Sequence, residues 1–150
     1  MSYPPIASLV PHQGPMCLLD DVIACDARSL TARVIPRRDS LLVDLARPEA
    51  GIPVWAGLEW MAQAVAAWAG LNSPADIPPR IGLLLGTKHY SATCEHLPFD
   101  VPVDVVITLD FQADNGLGTF QGQLTCRGER LAEATLNVFQ PSDSDELFTS

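Results

Sequence analysis

Glu59 lies in the most apolar stretch of the chain, residues 53–71, where no other ionisable side chain occurs. A carboxyl group withdrawn from water must be protonated, paired or hydrogen-bonded to be tolerated there. Two kinds of role meet that demand. One is acid–base chemistry, for which an apolar setting suits a carboxyl group. The other is structural, with the carboxylate bonded to nearby backbone or paired with an arginine such as Arg80. Gln63 stands one helical turn further on, where it either orients the carboxyl group or satisfies a buried polar need. The histidines are His12, His89 and His96, and none falls between residues 39 and 58, just upstream of Glu59. His89 and His96 lie near or beyond a strand end, where surface or structural roles are the default. Cys17, Cys25, Cys94 and Cys126 show no CxxC spacing, so no metal or redox motif follows, and reduced, buried thiols are expected.

The element that must carry Glu59 is a helix from about Val54 to Leu71. Pro53 stands just before it, and Asn72, Ser73 and Pro74 end it. It is apolar on every side and rich in alanine (Ala56, Ala62, Ala64, Ala66, Ala67, Ala69), so it must be surrounded, and a backbone can approach it closely. Trp55, Trp60, Met61 and Trp68 are expected in the core or a subunit contact. Its Glu59, Gln63 and modest lipophilicity argue for a core helix and against a membrane span.

Around the helix the pattern is strand-like. Met16–Ile23 and Ser29–Pro36 read as two strands turned near Cys25–Arg28 by Asp26. Asp39–Ile52 is a mixed connection and Asp76–Arg80 a loop, and Ile81–Cys94 is a further strand. Val103, Val105, Ile107, Leu109 and Phe111 alternate with other residues as a half-buried strand does. Asn115 and Gly116 fit a tight hairpin turn. Leu117–Cys126 and Leu131–Phe139 form the next hairpin, turned at Arg127-Gly128-Glu129. Consecutive hairpins imply an antiparallel sheet. The economical arrangement is an α+β hotdog fold, one long central helix wrapped by a curved sheet of about five to six strands. A single domain is expected over residues 1–140, with an irregular lead-in at Tyr3–Pro15 and a mobile acidic tail at 141–150. The Pro-free strand Leu131–Phe139 invites pairing with another copy, so a dimer is expected.

Composition narrows the partners. The 150 residues carry 18 acidic against 9 basic side chains, a net charge of -9. That repels nucleic acid and anionic membrane alike. An acidic carrier protein would need a local arginine cluster; Arg37 and Arg38 are one candidate, and a solvated loop is their default. Met1–Val10 lacks a basic start followed by an apolar run, so a cytoplasmic protein is expected. No nucleotide, metal or flavin motif occurs.

Two segments carry a resemblance. Pro11-His12-Gln13-Gly14-Pro15-Met16-Cys17-Leu18-Leu19-Asp20-Asp21-Val22 is similar to the lead-in of the 3-hydroxyacyl-acyl-carrier-protein dehydratases of fatty-acid synthesis. Ala56-Gly57-Leu58-Glu59-Trp60-Met61-Ala62-Gln63-Ala64 resembles their helix motif. The order of the later strands fits as well, so the likeness spans most of residues 6–140. It is closest to divergent dehydratase-like proteins of aryl-polyene-type biosynthetic clusters. The resemblance implies a hotdog dimer acting on acyl thioesters, with sites at the subunit interface. One subunit's histidine takes the alpha proton, and the other's helix glutamate, here Glu59, handles the departing beta hydroxyl. It further implies that backbone N–H groups at the helix start, here those of Gly57 and Leu58, polarise the thioester carbonyl. A glycine at this place also lets a ligand approach the backbone. No cofactor is implied beyond the pantetheine arm of a carrier-protein or CoA thioester.

The departure is the histidine. The family carries it in a Gly-His-Phe-Pro-type segment upstream of the glutamate, and this chain has none there. His12 matches the lead-in but not the catalytic position, and is the remaining candidate for that role. Three readings stay open: a non-autonomous dehydratase subunit completed by a partner, such as a dehydratase paralogue in a heterodimer; an acyl-thioester-binding protein without turnover; or an autonomous homodimeric dehydratase or thioesterase that relies on Glu59.

Overall fold

The computed structural model describes residues 18–40, 42–72, 83–113 and 115–139. The lead-in with His12 and Cys17, the loop with Arg80, and the tail 141–150 lie outside the described residues. Among these described residues, eight strands and one helix occur in the order β1 (Asp21–Cys25), β2 (Ser29–Val34), β3 (Ile52–Pro53), α1 (Ala56–Leu71), β4 (Leu83–Ala92), β5 (His96–Leu97), β6 (Val103–Gln112), β7 (Leu117–Cys126) and β8 (Glu129–Phe139). Six strands form one antiparallel sheet in the order β1-β2-β6-β7-β8-β4, and β3 pairs with β5 in a separate two-stranded ribbon. The helix packs against β2, β6, β7 and β8, so the sheet wraps it as the hotdog architecture requires.

The core sits between that helix and the concave face of the sheet. Ala56, Trp60, Met61, Ala64, Ala67 and Trp68 meet Leu30, Val105, Ile107, Leu124 and Leu136, all buried. Small residues make the contact close. A Cβ at Gly122 of β7 would lie 2.6 Å from the Met61 sulfur, so the strand carries a glycine where the methionine presses. Trp68 meets Phe120 edge-on, with ring centroids 5.4 Å apart. Its indole N–H donates to the Asp26 carbonyl (3.1 Å), as does the Asn72 side-chain amide (3.3 Å), which ties the C-terminal end of the helix to the β1–β2 turn. The Asp26 carboxylate accepts from the backbone N–H groups of Arg28 and Ser29, both at 2.8 Å. Those bonds, Arg28 first, hold its pKa below the usual carboxylate value.

Three expectations change. The first strand begins at Asp21, and residues 18–20 lead into it without strand structure. Leu131–Phe139 is no edge: β8 lies between β7 and β4, and the edges are β1 and β4. Strand order in a curved sheet is set by non-local pairing, which hairpin succession cannot reveal. Phe111 does not continue the inward alternation of β6. The β6–β7 register shifts between Leu109 and Phe111, and the ring turns outward, 64% exposed. Of the two places expected for Trp55, the core is excluded and a subunit contact stays open: it stands just before the helix and is 60% exposed.

Candidate active site at the start of the helix

Glu59 occupies the first turn of α1 and is half-buried, between the exposed Trp55 and the buried Trp60 and Met61. A carboxylate in a first helical turn is favoured by the partial positive charge of that end. Gln63, one turn on, is 0% exposed, and its Oε1 accepts the Leu18 N–H at 2.9 Å. The buried amide thus fastens the end of the lead-in to the helix.

Gly57 is a packing position. A Cβ there would overlap Leu124 Cδ1 and lie 2.9 Å from the Tyr90 hydroxyl. Only a glycine lets the first turn rest directly on β7 and β4. The Gly57 N–H donates to the Val54 carbonyl (3.0 Å) and the Leu58 N–H to the Trp55 carbonyl (3.1 Å). The two donors that the resemblance implies for a thioester carbonyl therefore close local turns in this chain.

The ribbon β3–β5 leads the chain into the helix. Pro53 pairs with His96, Ile52 with Leu97, and the Val54 N–H donates to the Glu95 carbonyl at 2.9 Å. The approach to the helix is apolar: Ile52 is fully buried, and no histidine occupies this segment. Gly51, at φ +119°, sits against the Leu97 carbonyl, where a Cβ has no room.

Two residues with chemistry stand beside this entrance whose partners the sequence did not reveal. His96 is more than a strand-end residue. Its Nε2 lies 3.0 Å from Asp44 Oδ2, with the histidine side chain 14% exposed. That bond is the largest reason why the Asp44 carboxyl titrates below its usual range, helped by the Ala46 and Arg47 N–H groups. Arg47 also reaches Glu95 at 3.6 Å, so the connection before β3 is strapped to β5 and to the residue just ahead of it. Tyr90 of β4 is the second. Its hydroxyl donates to the Val54 carbonyl, and burial pushes its pKa up to about 12. Neither contact has a local sequence signal, since the partners are 52 and 36 residues apart.

Arg37 and Arg38 are engaged: Arg37 pairs with Asp20 at 2.8 Å, and Arg38 pairs with Glu49 at 2.6 Å while covering the Phe99 ring. Asp20 also accepts the Ile35 N–H at 2.7 Å, so it braces the end of β2. Among the described residues, Cys94 and Cys126 form no disulfide, the Cys25 thiol lies against the Asp26 carbonyl and the Asn72 amide, and no three His, Cys, Asp or Glu side chains are grouped to hold a metal. No helix among the described residues is long and apolar enough to cross a membrane.

Comparison with known proteins places this geometry. Among the solved structures the chain resembles, the dehydratase heterocomplex ApeI:P from Xenorhabdus doucetiae matches with a TM-score of 0.85 at 26% identity, covering 99% of both chains. A homologue of HP0420 from Helicobacter felis matches at 11% identity with a TM-score of 0.67, over 95% of this chain and 94% of that one. The PaaI protein of the Escherichia coli phenylacetic acid degradation operon matches at 8% identity with a TM-score of 0.62, over 79% and 81%. At such identities the last two speak for the hotdog fold alone. No curated protein matches the sequence. The family described as ApeP-like, ApeP dehydratase, matches over residues 4–149. With the helix-borne Glu59 and the sheet around it in place, the chain belongs to the ApeP-like dehydratase family.

Proposed function

We propose that this chain is one half of a two-chain 3-hydroxyacyl-thioester dehydratase in an aryl-polyene-type pathway. It contributes Glu59, and a histidine-bearing paralogue contributes the base. One observation carries the reading. Glu59 stands in the first turn of a core helix, while the segment entering that helix, where the resembling dehydratases hold their histidine, has none. The similarity to a protein described as a dehydratase heterocomplex supports a partner of the same fold.

In the joined site the partner's histidine removes the alpha proton of the substrate. The electron pair forms the new C=C bond as the C–O bond at the beta carbon breaks. Glu59 gives its proton to the departing hydroxyl, which leaves as water. Hydroxide is a poor leaving group, so the proton must be delivered at that moment. The carbonyl oxygen gathers negative charge during this step, and the Gly57 and Leu58 N–H groups, at the positive end of the helix, meet it by sharing or opening their bonds to the Val54 and Trp55 carbonyls. The acyl group arrives on the pantetheine arm of a carrier protein.

The test assays purified protein on 3-hydroxyacyl carrier-protein thioesters, alone and mixed with a histidine-bearing dehydratase paralogue. Unsaturated thioester formed only in the mixture is the expected result. Equal turnover by this chain alone contradicts the shared site, and release of free thiol identifies a thioesterase instead. Substrate bound without turnover, alone or mixed, identifies a binding protein.

A further inference from the structure

The edge strand β4 is interrupted where it passes the helix start. Lys88 pairs with Thr135 and Ser91 with Glu133, so His89 and Tyr90 together oppose the single residue Ala134. That two-against-one count is a β-bulge. Its first residue, His89, sits at φ 58°, a left-handed conformation uncommon for a side chain of this size. The bulge changes which residue faces the helix. In an unbroken ladder Thr87, whose hydroxyl oxygen is buried, would be followed two residues on by an inward His89 and then an outward Tyr90. With the extra residue, Tyr90 turns inward and His89 stays exposed.

The inward phenol meets one small piece of structure. Its hydroxyl donates to the Val54 carbonyl, which also accepts the Gly57 N–H. The Val54 N–H is held from the other side by the Glu95 carbonyl. The turn that launches the helix, which ends two residues before Glu59, is thereby gripped at once by Glu95, just ahead of β5, and by Tyr90 of β4. Burial keeps the phenol protonated at every physiological pH, so it stays a donor. Backbone strain of this kind persists where surrounding structure holds it.

We propose that Tyr90 is a positioning residue for the Glu59-bearing turn, and that the bulge at His89 exists to aim it. This rests on the dehydratase reading for its catalytic consequence, and on the chain alone for its structural one. Two measurements keep the parts separate. In the isolated chain, Tyr90→Phe should raise hydrogen exchange of the Gly57 and Leu58 amides about tenfold, the effect of losing one hydrogen bond from a local turn. Amides in the last two turns of α1 should not change. His89→Val, whose β-branched side chain resists the left-handed conformation, should produce the same local loss, whereas His89→Gly should not. Unchanged exchange at Gly57 in Tyr90→Phe, or a rise spread evenly along the helix, overturns the proposal. In the mixture with a histidine-bearing dehydratase, Tyr90→Phe should lower kcat about tenfold with KM and folded fraction unchanged. A wild-type kcat, or a loss that only tracks the folded fraction, overturns the catalytic part. A wild-type mixture without activity sinks the shared-site reading and leaves the exchange result to decide Tyr90.

Discussion

Replacing Gly57 by alanine separates two reasons for a glycine at the helix start. If the position faces open space awaiting a ligand, alanine should stabilise the helix by up to about 1 kcal/mol, the difference in helix propensity. The structure gives the opposite sign. The added Cβ would overlap Leu124 Cδ1, lie 3.2 Å from Leu124 Cγ and come within 2.9 Å of the Tyr90 hydroxyl. Leu124 is fully buried and has nowhere to retreat. Overpacking of this kind costs about 1–3 kcal/mol, which leaves a net destabilisation of about 0–2 kcal/mol after the full propensity gain. Leu124→Ala alone should cost about 2–5 kcal/mol by emptying core volume. In the double variant the leucine atoms are gone but the Tyr90 hydroxyl remains, so relief is partial. A favourable coupling of about 1 kcal/mol is expected between the two sites. Urea unfolding followed by the fluorescence of the buried Trp60 and Trp68 measures all four corners of the cycle. A Gly57→Ala that stabilises by about 1 kcal/mol, with additive double-variant behaviour, would refute the close seating of α1 on β7.

Further consequences follow from the same contacts. Gln63→Leu keeps the bulk of a buried residue but strands the Leu18 N–H, so it should lose about 1–3 kcal/mol in denaturant unfolding; unchanged stability would mean the lead-in is not held there. Asp44→Asn tests the strap before β3. The folded-state pKa of Asp44 lies below its ordinary 3.8, chiefly through the His96 bond, so its contribution is present above that ordinary value and lost as pH falls through the depressed one. The variant should therefore be less stable than the parent at neutral pH, with the gap closing in strong acid. A gap that persists unchanged at low pH would show that the carboxylate charge is not what matters.

The elements that hold the site were legible where the signal is local. The alanine-rich apolar run gave the helix nearly to the residue, and Asp26, Asn115-Gly116 and Arg127-Gly128 marked turns that the structure has: Gly116 and Gly128 take positive φ, and Asp26 caps its own turn. The illegible parts are non-local or break the period. β3 and β5 are two residues each, too short for any alternation to register. The bulges after Leu109 and Lys88 each shift the alternation by one residue, which put Phe111 on the wrong face in the sequence reading and hid Tyr90. Glu59 and Gln63 were visible because a polar residue in an apolar helix demands a reason. His96 and Asp44 were not, because each is an ordinary loop or strand-end residue until the fold brings them together.

The central claim is that Glu59 completes a site whose base lies on another chain. Its most direct measurement is the rate of unsaturated thioester formation by the mixed pair when this chain alone carries Glu59→Gln and the partner is wild type. Loss of a positioned acid predicts a fall of about 10²–10⁴-fold in kcat with the two chains still associated. A mixed pair that turns over at the parent rate would contradict the account.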